Sequence, residues 1–137
     1  MSDGAATDVG QAEPVARRRD TGLRAHLSGA SAERSVVALY DRKGYDVLET
    51  RWRGKGGEID LILAQHGMIV FTEVKKARSF DAARASLRPA QMERIHAAAS
   101  EYLAFCPDGQ LSDVRFDLAV TDTTGRVEIT ENAFGHF

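Results

Sequence analysis

A chain of 137 residues has room for one modest core and no second domain of ordinary size. Hydrophobic residues make up 43% and charged residues 28%, a globular balance, and a formal charge of -2 excludes a protein that coats nucleic acid by overall positive charge. The single cysteine, Cys106, leaves no internal disulfide and no Cys-rich zinc cluster. No apolar run approaches the roughly 20 residues that span a bilayer, and the N-terminus carries no continuous apolar signal segment. A cytoplasmic protein without membrane association is the expectation.

Met1 to Arg24 mixes Gly, Ala, Asp and Pro with the run Arg17-Arg18-Arg19 and shows no durable apolar period. It reads as a flexible N-terminal tail over 1–24, leaving 25–137 as a single domain. The triple arginine reads as a solvated patch, with a substrate-contacting arm as the alternative. Ala32, Ser35, Val36, Leu39 and Tyr40 recur at three- and four-residue spacing and predict a helix from about Ser31 to Arg42, stopped by Lys43-Gly44. Asp46 to Trp52 reads as a strand, and Arg53-Gly54-Lys55-Gly56-Gly57 as a flexible basic loop. Glu58 to Ala64 and Met68 to Lys75 read as strands flanking Gln65-His66-Gly67, a short reversal that makes antiparallel pairing the default. Met68 to Lys75 is rich in β-branched and aromatic types and reads as a central strand.

Ala77 to Leu87 is a polar connection with partial helical character. Pro89 suits an early position of a second helix running to about Phe105, with Ile95, Ala98, Ala99, Tyr102 and Leu103 on its inner stripe. Val114 to Val120 and Arg126 to Thr130 form a last pair of strands. Helix, three strands, helix and two strands make a layered α/β arrangement whose strand order the periods do not give.

Acidic residues stand where a strand pattern wants apolar ones. Along Met68 to Lys75 the two-residue period puts Ile69, Phe71, Glu73 and Lys75 on one face. Burying a carboxylate and an ammonium is costly without a partner, a metal or a substrate. Asp60, in the neighbouring strand, reaches the same end if the register pairs it near Glu73. Two converging carboxylates can hold Mg²⁺ or Mn²⁺ with waters and phosphate oxygens, and an adjacent lysine can orient water and stabilise charge on a phosphoryl group. An ion pair at the sheet end is the competing reading. Two helix-borne residues favour chemistry. Glu33 lies close to the apolar stripe of the first helix and can reach a metal-bound water; Gln91 falls on the inward stripe of the second and can orient water or phosphate.

Other chemistries have less support. His26, His66, His96 and His136 lack zinc-ligand spacing, and the glycines at 54, 56 and 57 form neither a P-loop nor a dinucleotide fingerprint. Between Asp41 and Arg94 there are eleven basic and eight acidic residues, a local surplus of +3. Within it Arg51, Arg53, Lys55, Lys76, Arg78, Arg84 and Arg88 are candidate nucleic-acid contacts, with solvated loop charge as the alternative. Trp52 can stack on an unpaired base or pack on the sheet.

Gly29 to Glu33, Gly57-Glu58-Ile59-Asp60-Leu61-Ile62, Phe71-Thr72-Glu73-Val74-Lys75, Gln91 to Ile95 and Arg115-Phe116-Asp117 together resemble the UPF0102 (YraN-like) family. The resemblance covers about Gly29 to Phe134. That family is assigned to the restriction-endonuclease-like superfamily and is similar to archaeal Holliday junction resolvases. The resemblance implies a restriction-endonuclease-like three-layer α/β fold, a mixed central β-sheet flanked by helices, with a divalent-metal phosphodiesterase site. By motif position it makes Asp60 and Glu73 metal ligands, Lys75 the catalytic lysine and Glu33 the helix-borne acid. Trp52 stands where the family usually has asparagine, and Gln91 where many members have lysine.

The leading expectation is therefore an endonuclease that uses Mg²⁺ or Mn²⁺ on DNA, branched or damaged forms included, acting alone or as a homodimer. A nucleic-acid-binding module without turnover and a structural or protein-interaction domain are the alternatives.

Overall fold

The computed structural model describes residues 27–135. The expected tail, with Arg17, Arg18 and Arg19, lies outside the described residues. Helix α1 (Leu27–Arg42) leads into strands β1 (Asp46–Arg53), β2 (Glu58–Gln65) and β3 (Met68–Lys76). Helices α2 (Phe80–Ser86) and α3 (Pro89–Leu103) follow, then β4 (Asp113–Thr121) and β5 (Val127–Thr130). The five strands form one mixed sheet in the order β1-β2-β3-β4-β5. All neighbours are antiparallel except β3 and β4, which run parallel.

Local chemistry accounts for these joins. Gly44, at φ +90, ends α1, and the Tyr45 N–H returns to the Tyr40 carbonyl at 3.0 Å. Gln65 pairs with Met68 across a two-residue loop, His66-Gly67, in which both residues have positive φ (51° and 82°). Such a turn matches the twist of the strands it joins, so β2 and β3 are locked in register. A parallel pair cannot be joined so tightly. The chain between β3 and β4 becomes the crossover, and the polar stretch after Ala77 holds a capped helix: Ser79 Oγ accepts the Ala82 N–H at 3.0 Å. Pro89 opens α3 at its first turn, where its missing N–H costs no helical bond.

Two apolar layers enclose the sheet. Val36, Tyr40, Tyr45, Leu61, Val70 and Ala119 pack between it and α1. Ile62, Phe71, Ile95, Ala98, Leu103 and Phe116 pack between it and α3. The arrangement is three-layered α/β, as the resemblance implied. No described helix is long and apolar enough to cross a membrane.

One expectation fails. The 53–57 loop is not free but clamped to α3, because the backbone N–H groups of Lys55 and Gly56 donate to the Glu101 carboxylate at 2.7 and 2.5 Å. A Cβ on Gly54 would lie 2.6 Å from Glu101 Oε1, and one on Gly56 would lie 2.8 Å from the Ala97 Cβ. These glycines serve close approach, not freedom.

Candidate active site

The β2–β3 ladder fixes the central geometry. Leu61 is opposite Thr72, so one step further along the register Asp60 faces Glu73. There the ladder gives way to a side chain: Asp60 Oδ2 accepts the Val74 N–H at 2.8 Å. Glu73 is buried, and its Oε2 accepts from Gln91 Nε2 at 2.6 Å while lying 3.2 Å from Lys75 Nζ. Gln91 Oε1 accepts from the same ammonium at 3.5 Å. Gln91 thus bridges acid and lysine from the first turn of α3, on the face that the two-residue period assigns to Glu73 and Lys75. Asp60, Glu73, Gln91, Arg94, Glu58 and Ile95 line an open cleft of about 230 Å³.

Electrostatics make the carboxylate pair unusual. Burial pushes the Asp60 carboxyl from 3.8 up to about 8, the neighbouring charge of Glu73 adds to that, and the protonated form hydrogen-bonds to Glu73. The Val74 N–H pulls the other way and is outweighed. Two facing carboxyl groups form a set of hard oxygen donors whose repulsion, once both are ionised, a divalent cation would relieve. The donor set therefore fits Mg²⁺ or Mn²⁺, with waters or phosphate oxygens completing the shell.

Glu33, the helix-borne acid, is held by an arginine. It is buried on α1, but both its oxygens are engaged by Arg51 Nε, at 3.0 and 3.3 Å. Among the described residues no three His, Cys, Asp or Glu side chains gather to hold a metal. Asp60 and Glu73 face each other directly, and Glu33, held by Arg51, adds at longer range to the repulsion on Asp60. Arg51 makes its ion pair from a left-handed backbone, φ 51°, within an edge strand. A non-glycine residue there is strained, by about 1–2 kcal/mol.

The basic candidates divide into groups. Arg53 is largely exposed and pairs with Glu58 at 3.1 Å, and Lys55 rides on the clamped turn. Lys76, Arg78, Arg84 and Arg88 are exposed along the segment that joins the site end of β3 to α3. Trp52 is half-buried against the α3 core, its ring edge-on to Tyr102 at 5.3 Å. Its indole takes part in the packing on the sheet that the sequence offered beside base stacking.

The periods gave no indication of a second polar cluster on the α1 face. Asp117 is fully buried and accepts four hydrogen bonds: from Arg115 Nε and the Asn132 N–H on Oδ1, and from Tyr40 Oη and Arg115 Nη2 on Oδ2, all at 2.8–2.9 Å. Tyr40 Oη also lies 3.0 Å from Thr72 Oγ1, and Arg115 donates to Tyr45 Oη at 2.8 Å. Burial and the adjacent Asp117 raise the Tyr40 hydroxyl well above its ordinary range. Every charge in this cluster has a partner, which marks it as structural.

With the geometry described, sequence comparison places the chain among known proteins. The model of "Uncharacterised protein family UPF0102" matches residues 32–121. The chain belongs to UPF0102. A UPF0102 protein of Ruegeria pomeroyi is 56% identical over 115 residues, spanning 84% of this chain and 94% of that protein. Another, from Cereibacter sphaeroides, is 51% identical over 114 residues, 83% of this chain and 97% of its own length. A third, from Dinoroseobacter shibae, is 48% identical over 120 residues, 87% and 90% of the two chains. The UPF0102 match spans β1 to β4, so every residue facing the cleft lies inside it.

Proposed function

We propose that this UPF0102 protein is a DNA endonuclease dependent on Mg²⁺ or Mn²⁺, hydrolysing phosphodiester bonds at the cleft beside Asp60 and Glu73. The observation that carries the reading is the pair of mutually repelling carboxylates at the mouth of a cleft, with Lys75 and Gln91 hydrogen-bonded into the same group. A purely structural role would favour compensated charges, as the Asp117 cluster on the opposite face has.

Asp60 and Glu73 would hold the ion, which when bound polarises a phosphate and makes water a better nucleophile at neutral pH. Lys75 presents a positive charge at the position where negative charge grows on the phosphoryl oxygens, and stabilises it. Gln91 holds Glu73 and Lys75 in one geometry, so that neither must reorganise during reaction. Its amide fills the position where many relatives are expected to carry a lysine, and gives orientation without added charge.

The test is a nicking assay on supercoiled, linear, flapped and four-way DNA with Mg²⁺ or Mn²⁺, with Lys75→Ala alongside. Metal-dependent scission that is lost in Lys75→Ala is the expected result. Tight DNA binding with no scission of any form under either metal would instead identify a binding module.

A further inference from the structure

The cleft holds three carboxylates, Glu58, Asp60 and Glu73, and a single cationic residue, Arg94. Nearby cations are engaged: Lys75 by Glu73, Arg51 by Glu33 and Arg53 by Glu58. Arg94 is exposed, and among the described residues it has no ion-pair partner. It stands one helical turn after Gln91 on the same face of α3 and lines the same cleft.

The clamped β1–β2 turn gives Arg94 a fixed surround. A Cβ on Gly57 would lie 3.2 Å from both the Cβ and the carbonyl oxygen of Arg94, so the turn packs on the stem of that residue. Gly56 meets Ala97 and Glu101, and Gly54 meets Glu101. Residues 94, 97 and 101 are spaced i, i+3 and i+7, one face of α3. The turn therefore lies along that face, tied down at Glu101 by two amide N–H groups on one carboxylate, and its last residue, Gly57, lies against Arg94.

We propose that Arg94 grips a backbone phosphate of the nucleic-acid substrate, and that Glu101 is a positioning residue that holds the Gly54–Gly57 turn as a preformed arm alongside it. This rests on the phosphodiesterase reading and assigns that reading's substrate contact. An exposed guanidinium with no ion-pair partner among the described residues has donors left for an incoming anion, and a phosphodiester offers two oxygens to its planar fork. Fixing the arm before binding removes an ordering cost that a free glycine loop would impose on each encounter. Glu101 touches no substrate and acts only through the turn.

The experiment is fluorescence anisotropy of the full chain with labelled duplex and four-way DNA in EDTA, over a salt series, so that binding is read without metal or scission. Arg94→Gln should weaken binding about 5- to 10-fold and reduce the salt slope by about one, with an unchanged melting temperature and an unchanged response to Mn²⁺. Arg94→Lys should restore the slope and only part of the affinity. Glu101→Ala should weaken binding about 2- to 5-fold, and Glu101→Gln, whose amide oxygen still accepts from the turn, should recover most of it. Wild-type binding with Arg94→Gln identical in affinity and slope overturns this proposal and leaves the phosphodiesterase reading standing. A wild type that binds no DNA and nicks none overturns both.

Discussion

Replacing Asp60 with asparagine keeps the shape of the site and removes one of two opposed charges. The folded protein holds the Asp60 proton up to about pH 8, whereas the unfolded chain releases it near the ordinary value of 3.8. Between those values the folded state binds more protons than the unfolded one, so stability falls as pH rises, with a limiting slope of about 1.4 kcal/mol per pH unit. At neutral pH the accumulated cost is on the order of 4 kcal/mol. Asparagine escapes it, can still accept the Val74 N–H, and can donate to Glu73. Asp60→Asn should therefore melt above wild type at pH 8 without divalent ions, by on the order of 10 °C. The advantage should shrink to about 1 kcal/mol at pH 4.5. Mn²⁺ should raise the wild type, by about 2.7 kcal/mol at a hundredfold excess over Kd, and leave the variant unchanged. Differential scanning fluorimetry across pH, with and without Mn²⁺, measures all three effects. If Asp60→Asn melts below wild type at pH 8 and Mn²⁺ does nothing for the wild type, the carboxylates are structural and the metal reading is wrong.

Lys75→Ala should keep the Mn²⁺-induced rise in melting temperature, because both carboxylates remain, while the nicking rate drops about 10²- to 10³-fold; loss of the Mn²⁺ response would place Lys75 in ion binding instead. Gly56→Ala drives a methyl against Ala97 and Glu101 and should cost about 1–3 kcal/mol in urea denaturation. Gly67→Ala, with nothing within 4 Å of the new methyl, should cost only the left-handed backbone penalty of about 1 kcal/mol; equal losses at the two positions would contradict the clamped turn. Asp117→Asn should lower the urea midpoint by the equivalent of about 3–5 kcal/mol, since Arg115 loses its buried counter-ion, and a change under 1 kcal/mol would mean water replaces the lost charge.

The face shared by Glu73 and Lys75 was legible because a strand's two-residue period is rigid, and Asp60 followed because the short His66-Gly67 reversal fixes the register. Gln91 was legible from helical spacing alone. Glu33 shows where spacing stops: its helix position is near the site, but its partner is decided by Arg51, eighteen residues on, in a backbone conformation that composition does not announce. The glycines at 54, 56 and 57 were read as freedom because sequence alone cannot separate a glycine needed for motion from one needed for contact. Glu101, whose carboxylate makes that distinction, lies more than forty residues away. Nothing in the sequence around Arg94 distinguishes it from other surface arginines for a similar reason: the turn that packs on its stem comes from a distant stretch of chain.

The two polar clusters in this sheet differ in a way that bears on function more than their composition does. Asp117 is the more deeply buried acid, yet a guanidinium, a phenol and a backbone N–H satisfy it completely, and Tyr40, Thr72 and Asn132 are bound into the same group. Nothing further could bind there without breaking a bond already made. Asp60 and Glu73 line an open cleft, and burial together with the Glu73 charge raises the Asp60 carboxyl well above its ordinary range. Folding alone would not retain that arrangement, because asparagine or glutamine would fit the same hydrogen bonds without the repulsion. An acid pair kept apart from full compensation, facing a cleft with an arginine that has no ion-pair partner among the described residues, is consistent with a site completed by something that arrives from solution. A cation between the carboxylates and a phosphate on Arg94 would together remove both imbalances.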